Sequence, residues 1–165
     1  MAVSHWHGEL WLGRDFGLIH GAMGPTEPHA HYAHQLIIAP GQPVTVALAG
    51  GLQSAHYLLI PALQRHAIVQ APEQAFTVYA EPLLIAVEDL QACVSGAAPS
   101  LPGLEAALRR CPRQLVADPR VARALHAVDA ALEGKVAAAQ LAARAHVSLS
   151  QLERCLLYTS DAADE

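Results

Sequence analysis

Apolar and polar residues alternate in short bursts through the first eighty positions, and beyond them the apolar residues recur at helical spacing. Segments 9–12, 17–22, 35–39, 44–49, 56–60, 66–70 and 76–80 are rich in aliphatic, β-branched or aromatic residues, with Gly, Pro or polar turns between them. Many short strands at near-regular spacing predict an all-β barrel or sandwich. Pro25, Pro28, Pro40, Pro43, Pro61, Pro72 and Pro82 all fall at segment edges, where the missing N–H costs no ladder bond. After Ala80 the texture changes: 83–92 reads equally as the start of a helix or the end of a strand, and 94–103 (VSGAAPSLPG) has the composition of a linker.

From Leu104 onwards the pattern is helical. The clearest helix opens at Asp118 as N-cap with Pro119 in the first helical position, and it ends before Gly134. Val121, Leu125, Val128 and Leu132 form its apolar stripe, while Arg120 and Arg123 lie off that stripe, facing solvent or a phosphate. Two shorter helices joined by a tight turn are expected over 136–154 (VAAAQLAARAHVSLSQLER). Ala142 is small enough to let the second helix cross closely, Leu152 plugs the crossing, and Leu141, Ala145 and Val147 complete a small core. Ser148 is the natural N-cap of the second helix, which places Ser148, Ser150, Gln151 and Arg154 near its N-terminal end. In a DNA-reading helix pair, that end meets base edges and phosphates. His146 stands at the turn position where glycine is usual. A plain helical hairpin packed on the β part would show the same spacing.

Charge divides the chain in the same place. Up to Ala92 two bases face seven acids, a net −5, whereas Cys93 to Arg154 carries eight bases against five acids, a net +3. This points to two modules, of which only the second suits a polyanion. The last eleven residues, Cys155 to Glu165 (CLLYTSDAADE), coincide with the in-frame translation of a transposase-type sequencing adapter and are read as foreign. Without their three acids, the formal charge of −5 becomes −2. Cys93 and Cys111 then remain, without metal-type spacing, which favours a reducing compartment and no disulfide framework. With no secretory leader pattern and no apolar run long enough to span a bilayer, a cytoplasmic location and no membrane partner are expected. Apolar residues make up 53% of the chain, enough for the front ninety residues to bury a core.

The candidate chemistry lies in the histidines. On a strand, His29, His31 and Gln35 share parity and face inwards, leaving Tyr32 and His34 on the other face. With His66 from a neighbouring strand, three imidazoles and a carboxamide converge. That set suits either a divalent transition metal (Zn, Ni, Fe or Cu) or a polar pocket for an organic effector. His5, His7, His20 and His56 have no such arrangement, and Trp11 is expected in the core.

Two resemblances follow from these residues. The stretch from Asp118 to Arg154, with its Asp-Pro-Arg opening and its Leu-Ala-Ala…Ser-x-Ser-x-Leu-x-Arg cadence, resembles the entry to the DNA-binding domain of AraC/XylS-type transcriptional regulators. PHAHYAHQL (28–36) and IPALQRHAI (60–68) resemble the cupin-type sensor domain of the same family. Metal cupins carry His-x-His with a Glu four residues on, then Pro-x-Gly-x-x-His; here Gln35 takes the Glu place and Leu63 the Gly place. The resemblance implies a mainly β, cupin-like jelly-roll barrel over 1–92 that senses an effector. It also implies a linker with a short helix over 93–117 and an incomplete helix-turn-helix domain over 118–154, before the foreign tail 155–165. The implied protein is a homodimeric regulator and not an enzyme, with a small-molecule effector and with DNA as the partner of the full-length protein only. The present chain is expected to show no sequence-specific DNA binding at physiological salt, because most of the contacting surface lies past Arg154. The alternative is a metal-dependent cupin enzyme, a dioxygenase or isomerase, whose helical tail is structural.

Overall fold

A computed structural model of the chain describes residues 8–129 and 137–152. It divides into two compact units, the first ending at Arg113 and the second starting at Gln114.

Eight antiparallel strands build the first unit: β1 (Gly8–Leu12), β2 (Phe16–Gly21), β3 (His34–Ile38), β4 (Val44–Leu48), β5 (Gly51–Ala55), β6 (Tyr57–Ile60), β7 (Ala67–Gln70) and β8 (Ala75–Ala80). They form a five-stranded sheet in the order β1-β2-β8-β3-β6 and a three-stranded sheet in the order β5-β4-β7. Strands distant in sequence are thus neighbours, β8 lying between β2 and β3, as Greek-key wrapping requires. No strand contains proline, as expected. Seven of the eight strands coincide with segments read from the pattern. The eighth, β5, escaped because its residues GLQSA are nearly all exposed and carry no apolar face. It is held by pairing to β4 from Val44↔Ala55 to Leu48↔Gly51, and Gly51 supplies the turn's positive φ of 114°.

Two apolar layers sandwich the large sheet. Ile37, Val44, Val46, Leu58, Ile60 and Ile68 fill the space between the sheets. On the opposite face Leu18, Leu36 and Val78 lie in one cross-strand row, packed with Ile85, Leu90 and Leu104 in a second cluster. That cluster contains two helices, α1 (Val87–Ser95) and α2 (Leu101–Arg110). The ambiguous 83–92 stretch therefore resolves as the lead into α1. The supposed linker holds the last turn of α1 and the start of a ten-residue helix, capped where Ser100 Oγ accepts from Gly103 N at 3.2 Å. Both helices belong to the first unit because Leu90, Val94, Leu104 and Leu108 are fully or almost fully buried in its core. Each such side chain is worth about 1.5–3 kcal/mol of burial. Trp11 stacks on Phe16 with ring centroids 4.8 Å apart, in keeping with a core role.

Covering both faces of β3 erases its alternation, since His34, Gln35, Leu36 and Ile37 are all buried. His34 does face away from the barrel interior, but it meets the helical layer rather than solvent and is only 6% exposed. Its Nδ1 accepts from Ala62 N at 3.0 Å.

The second unit contains α3 (Pro119–Asp129) and α4 (Ala138–Arg144), followed by a turn and a further helical stretch, 149–152. Asp118 Oδ1 accepts from Arg120 N at 2.8 Å, the N-cap bond expected of it. Val121, Ala124, Ala142, Ala145 and Leu152 are buried, with Leu141 and Val147 packed alongside. Arg123 is exposed, as its place off the apolar stripe implies, and donates from Nη2 to Ala145 O at 3.1 Å. Leu132 and Arg154 lie outside the described residues. His146 takes a φ of 57°, the left-handed conformation that costs an L-residue about 1–2 kcal/mol and glycine nothing. His146→Gly is therefore expected to stabilise the second unit by about 1 kcal/mol, read as a higher urea midpoint of its helical signal.

Candidate functional site

In the first unit, three histidines from two pieces of chain come together, His29 and His31 from the stretch before β3 and His66 from the stretch before β7. His29 and His66 form an isolated antiparallel bridge, exchanging backbone bonds of 2.9 Å in both directions. His31 immediately precedes the bend at residues 32–33 that leads into β3. The simple strand parity expected of His29, His31 and Gln35 is therefore broken, because β3 starts only at His34. The three rings nevertheless converge, with centroids 4.4 Å apart for His29–His66, 5.1 Å for His31–His66 and 5.7 Å for His29–His31. Their ligand atoms all lie within 4.8 Å of one another.

Backbone carbonyls fix the tautomers. His29 Nδ1 bonds Glu27 O at 2.9 Å, His31 Nδ1 bonds Ala33 O at 2.9 Å, and His66 Nδ1 bonds Gln64 O at 2.8 Å. A carbonyl only accepts, so each Nδ1 carries the proton, and in the neutral ring each Nε2 is left with its lone pair. This is the orientation that second-sphere bonds impose on metal-binding histidines. His66 sharpens the point: the residue is 2% exposed, and its Nε2 is a buried side-chain polar atom with no hydrogen-bond partner. Leaving such an atom unpaired costs about 1–3 kcal/mol, which a ligand at that point would recover.

Gln35 completes the cluster from β3. Its Oε1 lies 3.0 Å from His31 Nε2, and its Nε2 lies 3.1 Å from the Tyr79 hydroxyl on β8, the residue paired with it across the sheet. An amide oxygen and an unprotonated imidazole nitrogen are both acceptors. In the neutral cluster the contact therefore requires the amide turned end for end, its NH2 donating to His31 and its oxygen accepting from Tyr79. A cation shared by Gln35 Oε1 and His31 Nε2 satisfies the same contact without that turn. The donor set thus fits a divalent transition metal, with three nitrogens and one neutral oxygen.

The turn before His66 supports the geometry. Leu63, in the place where the cupin pattern has glycine, adopts a φ of 65°, and its N–H bonds His31 O at 2.8 Å. The substitution keeps the left-handed turn and carries its strain.

Burial acts on the surrounding protons. It pushes the His66 imidazolium below the usual histidine range, with the neighbouring His29 and His31 adding to the effect and the Gln64 carbonyl opposing it. His34 is lowered by burial too, against an opposing pull from Glu88. Burial raises the Tyr79 phenol, keeping it protonated at neutral pH. Two histidines with depressed folded pKa values bind fewer protons folded than unfolded. The fold is thus expected to lose stability as pH falls below the unfolded value of about 6.5, levelling once the folded values are passed. Denaturant midpoints at a series of pH values check this; a flat profile from pH 7 to 5 would contradict it.

Tyr79 also borders a cleft of about 270 Å³ lined by Leu10, Leu12, Ile19 and Ala33, with Asp15 and Glu81 at its polar end. Burial raises the Glu81 carboxyl, and the nearby Asp15 adds to the shift, against the Leu83 N–H that bonds it. Tyr79 and the cleft were absent from the sequence-based site. Their place depends on the register of β8 against β2 and β3, which leaves no local signal. His20 and His56 stand apart from the cluster as expected, His20 stacked on Phe76 with ring centroids at 4.1 Å and His56 bonded to Ala39 O at 2.7 Å.

Of the residues expected to meet DNA, Ser148, Ser150 and Gln151 are exposed at the start of the last described helical stretch, with Ser148 as its N-cap. Ser148 Oγ accepts from Gln151 N at 3.3 Å, and Gln151 Oε1 accepts from Ser148 N at 3.0 Å. This is a reciprocal capping box that satisfies two helix-end donors. Ser150 is exposed beside them, its Oγ 3.3 Å from that of Ser148.

Neither a family profile nor a curated protein matches the chain. Solved structures similar to it include a putative mannose-6-phosphate isomerase from Ralstonia eutropha JMP134, at 12% identity and a TM-score of 0.39 over 48% of this chain and 87% of that one. An RmlC-like cupin protein from Desulfovibrio desulfuricans is 16% identical, with a TM-score of 0.37 over 47% of this chain and 82% of that one. A third, an RmlC-like cupin from Shewanella frigidimarina NCIMB 400, is 12% identical, with a TM-score of 0.36 over 44% of this chain and 73% of that one. Among the described residues, no helix is long and apolar enough to cross a membrane.

Proposed function

We propose that the first unit is the cupin-like sensing domain of an AraC/XylS-type transcriptional regulator and that it senses through a divalent transition metal held by His29, His31 and His66, with Gln35 beside them. The observation that carries the metal is the buried, unpartnered Nε2 of His66, converging with two imidazoles whose Nδ1 protons are likewise tied to carbonyls. The metal would supply a Lewis-acidic, positively charged point for an effector donor atom. The chain's own residues hold the imidazoles in the ligating tautomer, keep Gln35 against His31, and offer the cleft by Tyr79 to the effector's apolar body.

The regulator reading draws on the second unit. Ala142 and Leu152 are buried together across a turn whose left-handed residue is His146, as a DNA-reading helix pair requires. DNA is then the partner of the complete protein, which we take to be a cytoplasmic homodimer without enzymatic activity. Effector binding alters operator affinity only if the two conformations bind the effector unequally.

Three histidines leave coordination positions open, as catalytic metal sites do, and this favours a second reading as a metal-dependent isomerase or dioxygenase. Elemental analysis coupled to two assays separates them. The sensor reading expects a bound metal without turnover, and a metal-dependent change in the complete protein's affinity for its own promoter DNA. Stoichiometric metal with turnover of a sugar phosphate or an aromatic diol, and no effect on DNA, would replace it with the enzyme.

A further inference from the structure

The two cysteines of the first unit, which the histidine site does not use, lie on the neighbouring helices of its helical layer. Cys93 lies in the second turn of α1 and is partly exposed; Cys111 is the C-cap of α2 and is 4% exposed. Both pack in the same apolar cluster on the back of the five-stranded sheet. Within that cluster Cys93 is close enough to Cys111 to act directly on its thiol. Cys111 sits two residues before the end of the first unit, and its backbone is pinned there. Its N–H bonds Leu108 O at 3.2 Å, and its carbonyl accepts from Arg113 Nη1. The same guanidinium reaches Leu108 O at 2.9 Å and Asp15 Oδ2 at 2.5 Å, so a third element, the β1–β2 turn, is tied to this point.

We infer that Cys93 and Cys111 form an oxidisable dithiol, converted by hydrogen peroxide to an intramolecular disulfide that fastens α1 to the C-terminal end of α2. Exposure sets the order of events. Peroxide reaches Cys93, whose thiolate attacks one peroxide oxygen and breaks the O–O bond, giving a sulfenic acid at Cys93 and, after proton transfer, one water. The Cys111 sulfur then attacks the Cys93 sulfur, loses its proton and displaces the hydroxyl as a second water. Two thiols and one peroxide thus become one disulfide and two waters.

Cys111 is suited to the resolving role and not to the first one. Burial and the adjacent Cys93 push its thiol up to about 12, Asp89 adds to this and Arg113 opposes it, so on its own it stays protonated and inert towards peroxide. Attack on an adjacent sulfenic acid is intramolecular and needs only transient loss of that proton.

The test uses the chain with Cys155→Ser, which removes the third thiol. Purified reduced protein is treated with hydrogen peroxide, blocked with N-ethylmaleimide and digested with trypsin without reductant. The expected product is the tripeptide Cys111–Arg113 joined to the peptide His66–Arg109, released by dithiothreitol, with the intact mass lower by two hydrogens and both thiols lost to the maleimide. In the Cys111→Ala variant the Cys93 sulfenic acid is left without its resolving partner. Dimedone labelling at Cys93 is therefore expected to rise at least about tenfold over the protein with both cysteines, while circular dichroism confirms the fold. Maleimide on both cysteines after full peroxide exposure, over-oxidation of Cys93 without a cross-link, or a Cys93–Cys93 link between two chains would each overturn the proposal.

Discussion

Replacing His66 with alanine is expected to abolish divalent-metal binding by the first unit while leaving its metal-free stability nearly unchanged. Two opposing effects produce the second half of that result. The substitution opens a cavity at a residue that is 2% exposed, which destabilises. It also removes a buried Nε2 that has no partner, relieving about 1–3 kcal/mol. The loss of metal has no such compensation, because one of three nitrogen ligands disappears. Wild-type protein at a metal concentration about a hundred times Kd gains about 2.7 kcal/mol of stability, and His66→Ala gains none. Calorimetric titration with Zn²⁺ or Ni²⁺, with paired thermal melts, reads both. A variant that keeps its metal-induced rise in Tm would remove His66 from the site.

The companion substitution has the opposite sign. Gln35→Glu puts a carboxylate oxygen 3.0 Å from His31 Nε2, where the amide oxygen stands now. An anionic oxygen binds a divalent cation more strongly than a neutral one, so affinity is expected to rise by about tenfold or more. Without metal, the new carboxylate is buried among neutral groups and its pKa rises, so the variant should be less stable than wild type at neutral pH when metal-free and more stable when loaded. That crossing is the signature to look for in the melts. Equal shifts in both states would mean that Gln35 only fills space.

The strands were legible wherever one face of a segment met water, as in β2, where Phe16 and Leu18 are buried and their neighbours are less so. They were legible by length and composition in β8, buried on nearly every residue. Pattern failed at β5, whose polar residues carry no alternation and whose place is set by pairing alone. It failed differently at 83–103, where α1 buries only Leu90 and Val94 and where Pro102 and Gly103, inside the first turn of α2, read as linker residues. Gly103 is in fact close-packed: a Cβ there would sit 2.7 Å from Ala98 O. The site was legible as a set of residues and not as an arrangement. His29, His31, Gln35 and His66 do converge, yet the parity argument that united the first three assumed a strand that the chain forms only from His34. Tyr79 reaches Gln35 across a register that joins residues forty-four positions apart. In the second unit, the turn residue His146 was legible as a glycine stand-in and Ser148 as the N-cap, whereas the reciprocal bond from Ser148 N to Gln151 Oε1 was not.

The carbonyls that hold the three imidazoles belong to Glu27, Ala33 and Gln64, each two positions from the histidine it orients. A backbone oxygen is the same in every residue, so this part of the site places no demand on side-chain identity at those positions. Mutational drift can rewrite all three without disturbing the tautomers, provided the path of the chain is kept. An inventory of tolerated substitutions would therefore score Glu27, Ala33 and Gln64 as dispensable, although the site's proton arrangement rests on them, and insertions or deletions between each pair would be the changes it does not survive.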